Sequence, residues 1–266
     1  MPTLNRITVF PVKSLDGHRL DSVTVGARGA LELDREYALV DADGEYVNGK
    51  ATAQVHRLQS SFDPATHELT VGRHDDERHS FRLRDETERA ACGEWLTDFF
   101  GEPVTVERDD AGGYPDDEAL HGPTVISTGT VRAVADWFDL PPENVRRRFR
   151  ANIEIGRTEP FWEDRLFADQ GEVVAFSVGE CRFHGVNPCQ RCVVPTRDPD
   201  TGEEMADFRE RFVERREATL PEWTPSDRFD HPYRLMLNTV VPEDARATEL
   251  AVGDEVTVEG VRSATY

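Results

Sequence analysis

Lysine is almost missing from this sequence of 266 residues. Only Lys13 and Lys50 occur, and arginine supplies the rest of the 31 basic residues, against 52 acidic ones. The net charge of −21 repels the phosphates of nucleic acids and anionic lipids, so we expect neither as a partner. Abundant acid with little lysine is typical of a salt-rich cytoplasm, where a screened acidic surface stays hydrated. We therefore predict a halophilic source; a GC-rich genome would also replace lysine with arginine.

Long apolar runs and cysteine are also scarce. No run approaches the roughly 20 residues that a membrane span needs, so no membrane segment is expected. Residues 1–10 lack the basic start and apolar stretch of a secretory signal, and four cysteines do not suggest a disulfide framework. We therefore expect a reduced, cytoplasmic protein. Its length and 38% apolar content allow one large or two small domains with a real core.

The first part of the chain has the pattern of short strands separated by turns. Apolar and polar residues alternate over 7–11, and turns are predicted at 41–44 and 63–67. The Asp43-Gly44 pair within the first turn is a hairpin signal. Short strands punctuated by turns favour a barrel or sandwich over a sheet of alternating strands and helices.

One helix interrupts these strands. Asp85 and Glu88 stand at capping-box spacing, and Gly101 marks the predicted end of the helix. Trp95 and Phe99 are four residues apart on one face, so we expect both in the core.

A segment rich in acid, glycine and proline over 109–122 marks a predicted domain boundary. Beyond it, Ser127 or Thr128 caps a helix, and a polar helix is predicted over 204–216. The apolar stripe of the capped helix consists of Val131, Val134, Ala135 and Phe138. Strands are predicted at 152–155, 173–178, 182–186, 235–240 and 255–258.

Together these patterns predict a mainly β (α+β) protein of two domains. Residues 1–110 would form a barrel or sandwich of short strands, and residues 120–266 a second domain of strands with a few helices. The acid runs at 75–77 and 116–118 are expected on the solvated surface, and no chemistry is assigned to them.

The segment 187–202 contains two of the four cysteines, Cys189 and Cys192, followed by a tight Asp-Pro-Asp-Thr-Gly turn. Arg191 between them would favour a thiolate, the form that acts as nucleophile or soft-metal ligand. Three interpretations compete: a redox pair, two packing cysteines, and a zinc site. The zinc site would use Cys181, His184, Cys189 and Cys192.

Five segments, in order, resemble signature segments of the MOSC-domain family with its N-terminal β-barrel domain. The family includes the amidoxime-reducing molybdenum enzymes. The resemblance covers residues 4–260. It implies that residues 1–110 form a β-barrel-like N-terminal domain and that residues 120–266 form a MOSC-type β-barrel with a few helices. The segments are Pro-Val-Lys-Ser-Leu at 11–15, Leu-Asp-Arg-Glu-Tyr at 33–37, Arg-Phe-Arg-Ala-Asn-Ile at 148–153, Arg-Cys-x-x-x-Thr-x-Asp-Pro-x-Thr-Gly at 191–202 and Leu-x-Val-Gly-Asp-x-Val at 250–256.

This resemblance implies that Cys192 ligates the molybdenum of a molybdopterin cofactor and is the catalytic position. The cofactor-binding residues that it implies are Lys13, Ser14, Arg35, Ser127, Thr128, Arg150, Asn152, Gln190, Arg191 and Tyr233. A pterin phosphate in so acidic a chain needs local positive charge, which Arg and Lys supply, and a helix start offers free N–H groups. Lys50 stands where relatives have an arginine segment, and we leave it out of the site.

The resemblance implies a molybdenum-pterin oxidoreductase. Such an enzyme would reduce a small N-hydroxylated or N-oxide substrate with electrons from a separate ferredoxin- or flavin-type donor protein, because the chain has no ferredoxin-like cysteine cluster. The alternative is a carrier that binds the molybdenum cofactor, or holds sulfur on Cys192 as a persulfide. Relatives in sulfuration pathways carry a pyridoxal-phosphate domain, which we do not expect in a chain of this length.

Overall fold

The computed structural model describes residues 1–73, 76–117 and 119–264, and within them the protein is mainly β with four α-helices. This confirms the predicted fold class. The strands are β1 Thr3–Val9, β2 His18–Leu20, β3 Ser22–Thr24, β4 Tyr37–Asp41, β5 Leu58–Asp63, β6 Glu68–Arg73, β7 His79–Arg82, β8 Val104–Arg108, β9 Val125–Ser127, β10 Ile153–Gly156, β11 Glu172–Val178, β12 Cys181–Gln190, β13 Arg234–Val240, β14 Glu249–Ala251 and β15 Val256–Ser263. The helices are α1 Glu86–Phe100, α2 Thr128–Phe138, α3 Pro142–Phe149 and α4 Phe208–Ala218.

The largest sheet has eight strands in the order β15-β11-β12-β13-β9-β10-β1-β2. Its strands from the second part of the chain confirm the five strand predictions made there. The sheet encloses an apolar core that includes Ile7, Val125, Phe176 and Phe183.

The N-terminus belongs to this large sheet. Strand β1 pairs with β10, β2 pairs with β1, and β3 pairs with β14. Val9, Val25 and Leu31 lie in the same core as the C-terminal strands. The first strands of the chain therefore pack with its C-terminal part. The partners β1 and β10, and β3 and β14, lie more than 100 residues apart, so no local pattern shows these pairings.

A smaller unit is built from β4 to β8 and α1. Strands β5 and β6 form a hairpin around the turn predicted at 63–67. At the turn predicted at 41–44, Asp41 accepts from the N–H groups of residues 43 and 45. Of the acid run at 75–77, only residues 76 and 77 lie within the described part of the chain.

Asp85 caps α1 by accepting from the N–H groups of residues 87 and 88, and Gly101 ends the helix with a left-handed backbone. Trp95 and Phe99, which were predicted in the core, stack on each other and pack against it while only partly buried. The fully buried face of the helix carries Cys92, Leu96 and Phe100. The buried face is set by where β8 packs against the helix.

Helices α2, α3 and α4 share a third, aromatic core. The apolar stripe predicted for α2 is buried in it, and Phe208 and Phe212 of α4 pack there as well. Helix α4 starts four residues later than predicted. Helix α3 was not predicted; it begins at Pro142, a residue suited to the first helical position. No helix in the described ranges is long and apolar enough to cross a membrane.

Candidate cofactor site

A cavity of about 890 Å³ lies between the smaller unit and the large sheet. Residues 109–117, here called the interdomain segment, line a further side of this cavity and contribute Asp109 and Asp116. Seven of the predicted site residues line this cavity: Lys13, Ser14, Arg35, Arg150, Gln190, Arg191 and Cys192. They come from four distant parts of the chain, and only the fold brings them together.

Ser127 and Thr128 lie outside this cavity. Ser127 caps α2 and is completely buried, and its own N–H donates to the Glu163 carboxylate over 3.2 Å. Thr128 donates to Glu154 over 2.7 Å. The helix start that was expected to face a phosphate therefore faces the protein's own carboxylates. The capping pattern correctly located the helix start, but it carried no information about what faces it.

Asn152 and Tyr233 are also absent from the cavity wall. Asn152 ties two strand ends together, donating to the Thr8 carbonyl over 3.1 Å and accepting from the Thr124 N–H. It lines a second, smaller cavity of about 380 Å³. Tyr233 is buried edge-on against Phe212 with ring centroids 5.3 Å apart, and burial raises its pKa to about 12. Both residues have packing roles here.

The four cysteines have different surroundings. Cys192 is partly exposed on the cavity wall. Cys189 is buried and donates its S–H to Asn238 Oδ1 over 2.7 Å, and burial raises its pKa to about 12. Cys181 and Cys92 lie in apolar cores. Cys192 is therefore the cysteine whose sulfur is open to a ligand.

The zinc interpretation fails on geometry. Cys181 and Cys189 stand at opposite ends of one extended strand, β12, and eight residues of strand span about 26 Å. Nowhere in the described residues are three or more His, Cys, Asp or Glu side chains grouped to hold a metal ion. The redox-pair interpretation lacks its helix, because a three-residue 3-10 turn at Val194–Thr196 follows Cys192.

Several cavity residues have a left-handed backbone, which costs a non-glycine residue about 1–2 kcal/mol. Ser14 has φ 76°, Arg35 φ 56°, Arg150 φ 59° and Met236 φ 74°. Hydrogen bonds hold these conformations: the Arg35 N–H donates to Phe10, and the Arg150 N–H closes α3. Such strain concentrates at functional sites.

The Lys13 ammonium and the Arg35 guanidinium share one acidic partner, Asp116. Lys13 Nζ donates to Asp116 Oδ1 over 2.9 Å, and Arg35 donates to Asp116 Oδ2 over 3.1 Å and to Asp34. Burial lowers the pKa of Lys13; for Arg35 the two carboxylates outweigh burial and raise the pKa. Asp116 is mostly exposed, as expected for its acid run, but its carboxylate pairs with two cations of the cavity, a role that the sequence did not indicate. Residue 118 of that run lies outside the described residues.

Arg150 has the opposite surroundings. Its guanidinium stacks 4.0 Å from the centroid of the Phe10 ring, with the Arg35 guanidinium 5.5 Å from the same ring. Among the described residues no side chain forms a salt bridge or hydrogen bond with that guanidinium. Burial and the neighbouring Arg35 charge lower its pKa to about 10, so it stays cationic at neutral pH. Phe10, a platform for two arginines, was not singled out from the sequence.

Lys50 and His56 complete this side of the cavity. Lys50, which the sequence analysis left out, lines the cavity and forms no salt bridge within the described parts of the chain. His56 has a buried Nε2 without a hydrogen-bond partner among the described residues. Burial and the charge of Arg150 lower its pKa to about 4, so the imidazole is neutral at pH 7. His56 lies in a short 3-10 helix, and nothing in the sequence around it marks it as a residue of the site.

The residues around Cys192 are firmly held. Arg148 of α3 is completely buried and donates to the Pro195 carbonyl over 2.9 Å, which ties the turn after Cys192 to the helix. Arg191 donates to the Phe149 carbonyl over 3.2 Å, while its buried Nε has no partner in the described ranges. The cavity thus combines a rigidly placed thiol with several cations.

Comparisons with known proteins identify the family of the chain. The family model for the MOSC N-terminal beta barrel domain matches residues 1–139, and the model for the MOSC domain matches residues 96–257. The chain therefore belongs to the MOSC-domain family, as its sequence segments indicated.

Among curated proteins the chain is similar to molybdenum cofactor sulfurases. The match to the Bos taurus protein has a length of 264 residues and 23% identity, and it covers 82% of this chain and 29% of that protein. The match to the Homo sapiens protein has 22% identity and the same length and coverage. The chain thus spans less than a third of the length of these relatives. The chain is also similar to a solved structure, that of the YUAD protein from Bacillus subtilis, with a TM-score of 0.43 and 11% identity. That match covers 100% of this chain and 98% of the YUAD chain.

The residues of the cavity fit an anionic, sulfur-bound cofactor of the kind that the family implies. Arg150 and Lys50 are cations without an acidic partner in the described parts, and the orphaned Arg191 Nε is a further donor. Cys192 offers a soft sulfur ligand on the same wall.

Proposed function

We propose that this protein binds the molybdenum cofactor in the cavity beside Cys192. One observation carries the proposal: seven cationic and four acidic side chains line the cavity, although the whole chain has a net charge of −21. A positive cavity in so acidic a protein is expected for a site that holds an anion. The similarity to molybdenum cofactor sulfurases supports this choice of anion.

In this proposal the chain's own residues grip and orient the ligand. Arg150 offers a planar fork to a phosphate, and Lys50 adds a mobile point charge. Cys192 places its sulfur at the metal end. The cofactor, when bound, supplies the molybdenum redox chemistry. The neutral His56 imidazole offers a hydrogen bond without adding charge.

The similarity to molybdenum cofactor sulfurases favours a role in carrying the cofactor or in transferring sulfur. Cys192 would take sulfur from the persulfide of a separate donor protein, whose S–S bond breaks to leave a thiol, and would pass that sulfur on from its own persulfide. Alternatively, the chain would carry the cofactor for delivery to another enzyme. Cys192 is partly exposed, as such a transfer needs, while Cys189 is buried and engaged with Asn238.

The second candidate is an oxidoreductase that removes oxygen from N-hydroxylated or N-oxide substrates. Each turnover would take two electrons from a separate donor protein and two protons, and would release water. The cavity volume of about 890 Å³ supports it, because it lies near the upper end of the range for small-molecule sites and leaves room beside a cofactor.

The first experiment is metal and pterin analysis of protein purified at high salt from a host that makes molybdenum cofactor. We expect close to one Mo and one oxidised pterin per chain. Zinc, or neither metal nor pterin in a folded sample, would contradict the proposal.

Two further assays on the loaded protein separate the candidates. Cyanide-labile sulfur lost in Cys192→Ser and kept in Cys189→Ser would support sulfur handling. Reduction of a hydroxylamine or amidoxime with an artificial donor would support the oxidoreductase.

A further inference from the structure

The interdomain segment uses every hydrogen-bond donor of the Lys13 ammonium. Lys13 Nζ donates to the Tyr114 carbonyl over 2.9 Å, the Pro115 carbonyl over 3.1 Å and the Asp116 carboxylate over 2.9 Å. An ammonium has three N–H donors, so none is left for another acceptor. Lys13 therefore meets a further anion only if at least one of these contacts breaks.

The Asp116 carboxylate spans both cations at this end of the cavity. Its second oxygen accepts from Arg35 over 3.1 Å. Burial raises its pKa, but the charges of Arg35 and Lys13 outweigh burial and hold the pKa well below the usual range of a carboxyl. Asp116 is thus an anion at any working pH, held where a ligand's anionic group would meet the same two cations.

This contact is close to water. The Asp116 side chain is 58% exposed, whereas that of Lys13 is 8% and that of Arg35 is 11% exposed. The two cations are built into the protein, while the carboxylate reaches them from the surface. Loss of this contact alone would leave the buried Lys13 ammonium without its acidic partner, which is costly. The carboxylate is therefore expected to leave only when another anion takes its place on the cations.

The segment is docked on the backbone of Arg35. The Tyr114 N–H donates to the Arg35 carbonyl over 2.9 Å. Gly113 has φ 67°, and a Cβ there would lie 2.7 Å from the same carbonyl oxygen, so the close approach needs glycine. We therefore expect the hydrogen bond from the Tyr114 N–H to the Arg35 carbonyl to open when Asp116 moves away from the cations.

We propose that Asp116 is an internal competitor for the Lys13–Arg35 pair, and that a phosphate-bearing ligand and the Asp116 carboxylate exclude each other there. A phosphate carries up to two negative charges and more acceptor oxygens than a carboxylate, so it can replace Asp116 on both cations. Binding of the phosphate then frees the interdomain segment from Arg35. The cofactor identity in this account rests on the proposed function; the competition itself does not.

The test is calorimetric titration of the full chain with inorganic phosphate. Asp116→Asn keeps the size of the side chain and removes the competing charge, so we expect phosphate to bind about tenfold more tightly than to the wild type, about 1.4 kcal/mol. Asp117→Asn is the matched control. It removes one charge from the same wall, but the Asp117 carboxylate accepts from backbone N–H groups nearby and forms no salt bridge in the described ranges. This control should change the affinity less than twofold.

Two further measurements locate the event. In the wild type, saturating phosphate should speed hydrogen exchange at the Tyr114 amide, and in Asp116→Asn that amide should exchange fast without phosphate. Adding Lys13→Met to Asp116→Asn should abolish the gain in affinity. Unchanged or weaker phosphate binding by Asp116→Asn, or a gain that survives Lys13→Met, would overturn the proposal.

The outcome is separable from that of the proposed function. Pterin that co-purifies with Asp116→Asn reports on the cofactor, whereas the titration uses inorganic phosphate only. If phosphate competes with Asp116 and no pterin is ever found, this inference stands and the cofactor proposal falls. If pterin is found and the Asp116→Asn affinity for phosphate is unchanged, the reverse holds.

Discussion

Replacing Arg150 by alanine should weaken anion binding and leave the fold nearly as stable. Arg150 closes α3, lies over the Phe10 ring at 4.0 Å and has no acidic partner among the described residues. The substitution removes a charge-assisted hydrogen bond to the anion, which contributes about 1.5–3 kcal/mol. That range corresponds to about 10–150-fold weaker affinity for phosphate or the cofactor.

The folding free energy should change little, because two effects of Arg150→Ala oppose each other. The loss of the contact with Phe10 costs about 0.5–2 kcal/mol. Against it, the substitution removes a charge that burial and the Arg35 charge disfavour, as the lowered pKa of Arg150 shows. We therefore expect the free energy of unfolding to shift by no more than about 1 kcal/mol.

Arg146→Ala is the matched control on the same helix. Arg146 donates over 2.7 Å to Glu154, whose side chain is 4% exposed, and neither residue lines the large cavity. Removing Arg146 leaves a buried carboxylate without its partner, which destabilises a protein by about 3–5 kcal/mol. It should leave phosphate affinity unchanged.

Phosphate titration and urea unfolding on both variants check this pair of expectations. Full phosphate affinity in Arg150→Ala would refute the reasoning. So would a loss of stability in Arg150→Ala as large as that in Arg146→Ala.

The other predictions concern a cysteine and a buried acid. Cys192→Ser should lose molybdenum by metal analysis while keeping its melting temperature, and Cys189→Ser should keep the metal; equal loss in both would favour a dithiol site. Burial and the neighbouring Asp164 raise the pKa of Glu163 above its usual 4.5. The stability contributed by the neutral Glu163 is therefore fully present below pH 4.5 and is lost as the pH rises through the raised pKa. Glu163→Gln should flatten that slope in urea unfolding between pH 4.5 and 8; an unchanged slope would show that Glu163 is not the source.

Much of the local structure could be predicted from the sequence. The N-cap at Asp85 and the left-handed end at Gly101 were correct, because capping depends on residues within one helical turn. The buried stripe of α2 was correct for the same reason. The MOSC family was also identified from short segments, whose residues are contiguous in the chain.

The candidate site could be predicted only in part. Lys13, Arg35 and Cys192 do meet in one cavity, as the family resemblance implied, but Ser127 faces Glu163 instead. A capping residue has the same sequence pattern whether its helix start faces a ligand or a carboxylate of the protein.

The contacts between distant segments depend on the folded chain. The sequence shows Asp116 only as one member of an acid run. In the structure its carboxylate accepts hydrogen bonds from Lys13, 103 residues away, and from Arg35. The pKa of His56 is lowered by burial and by the charges of arginines that strand pairing and helix packing bring near it. Charge and capping patterns act over a few residues, whereas burial and Coulomb interactions depend on distance in space, which only the folded chain sets.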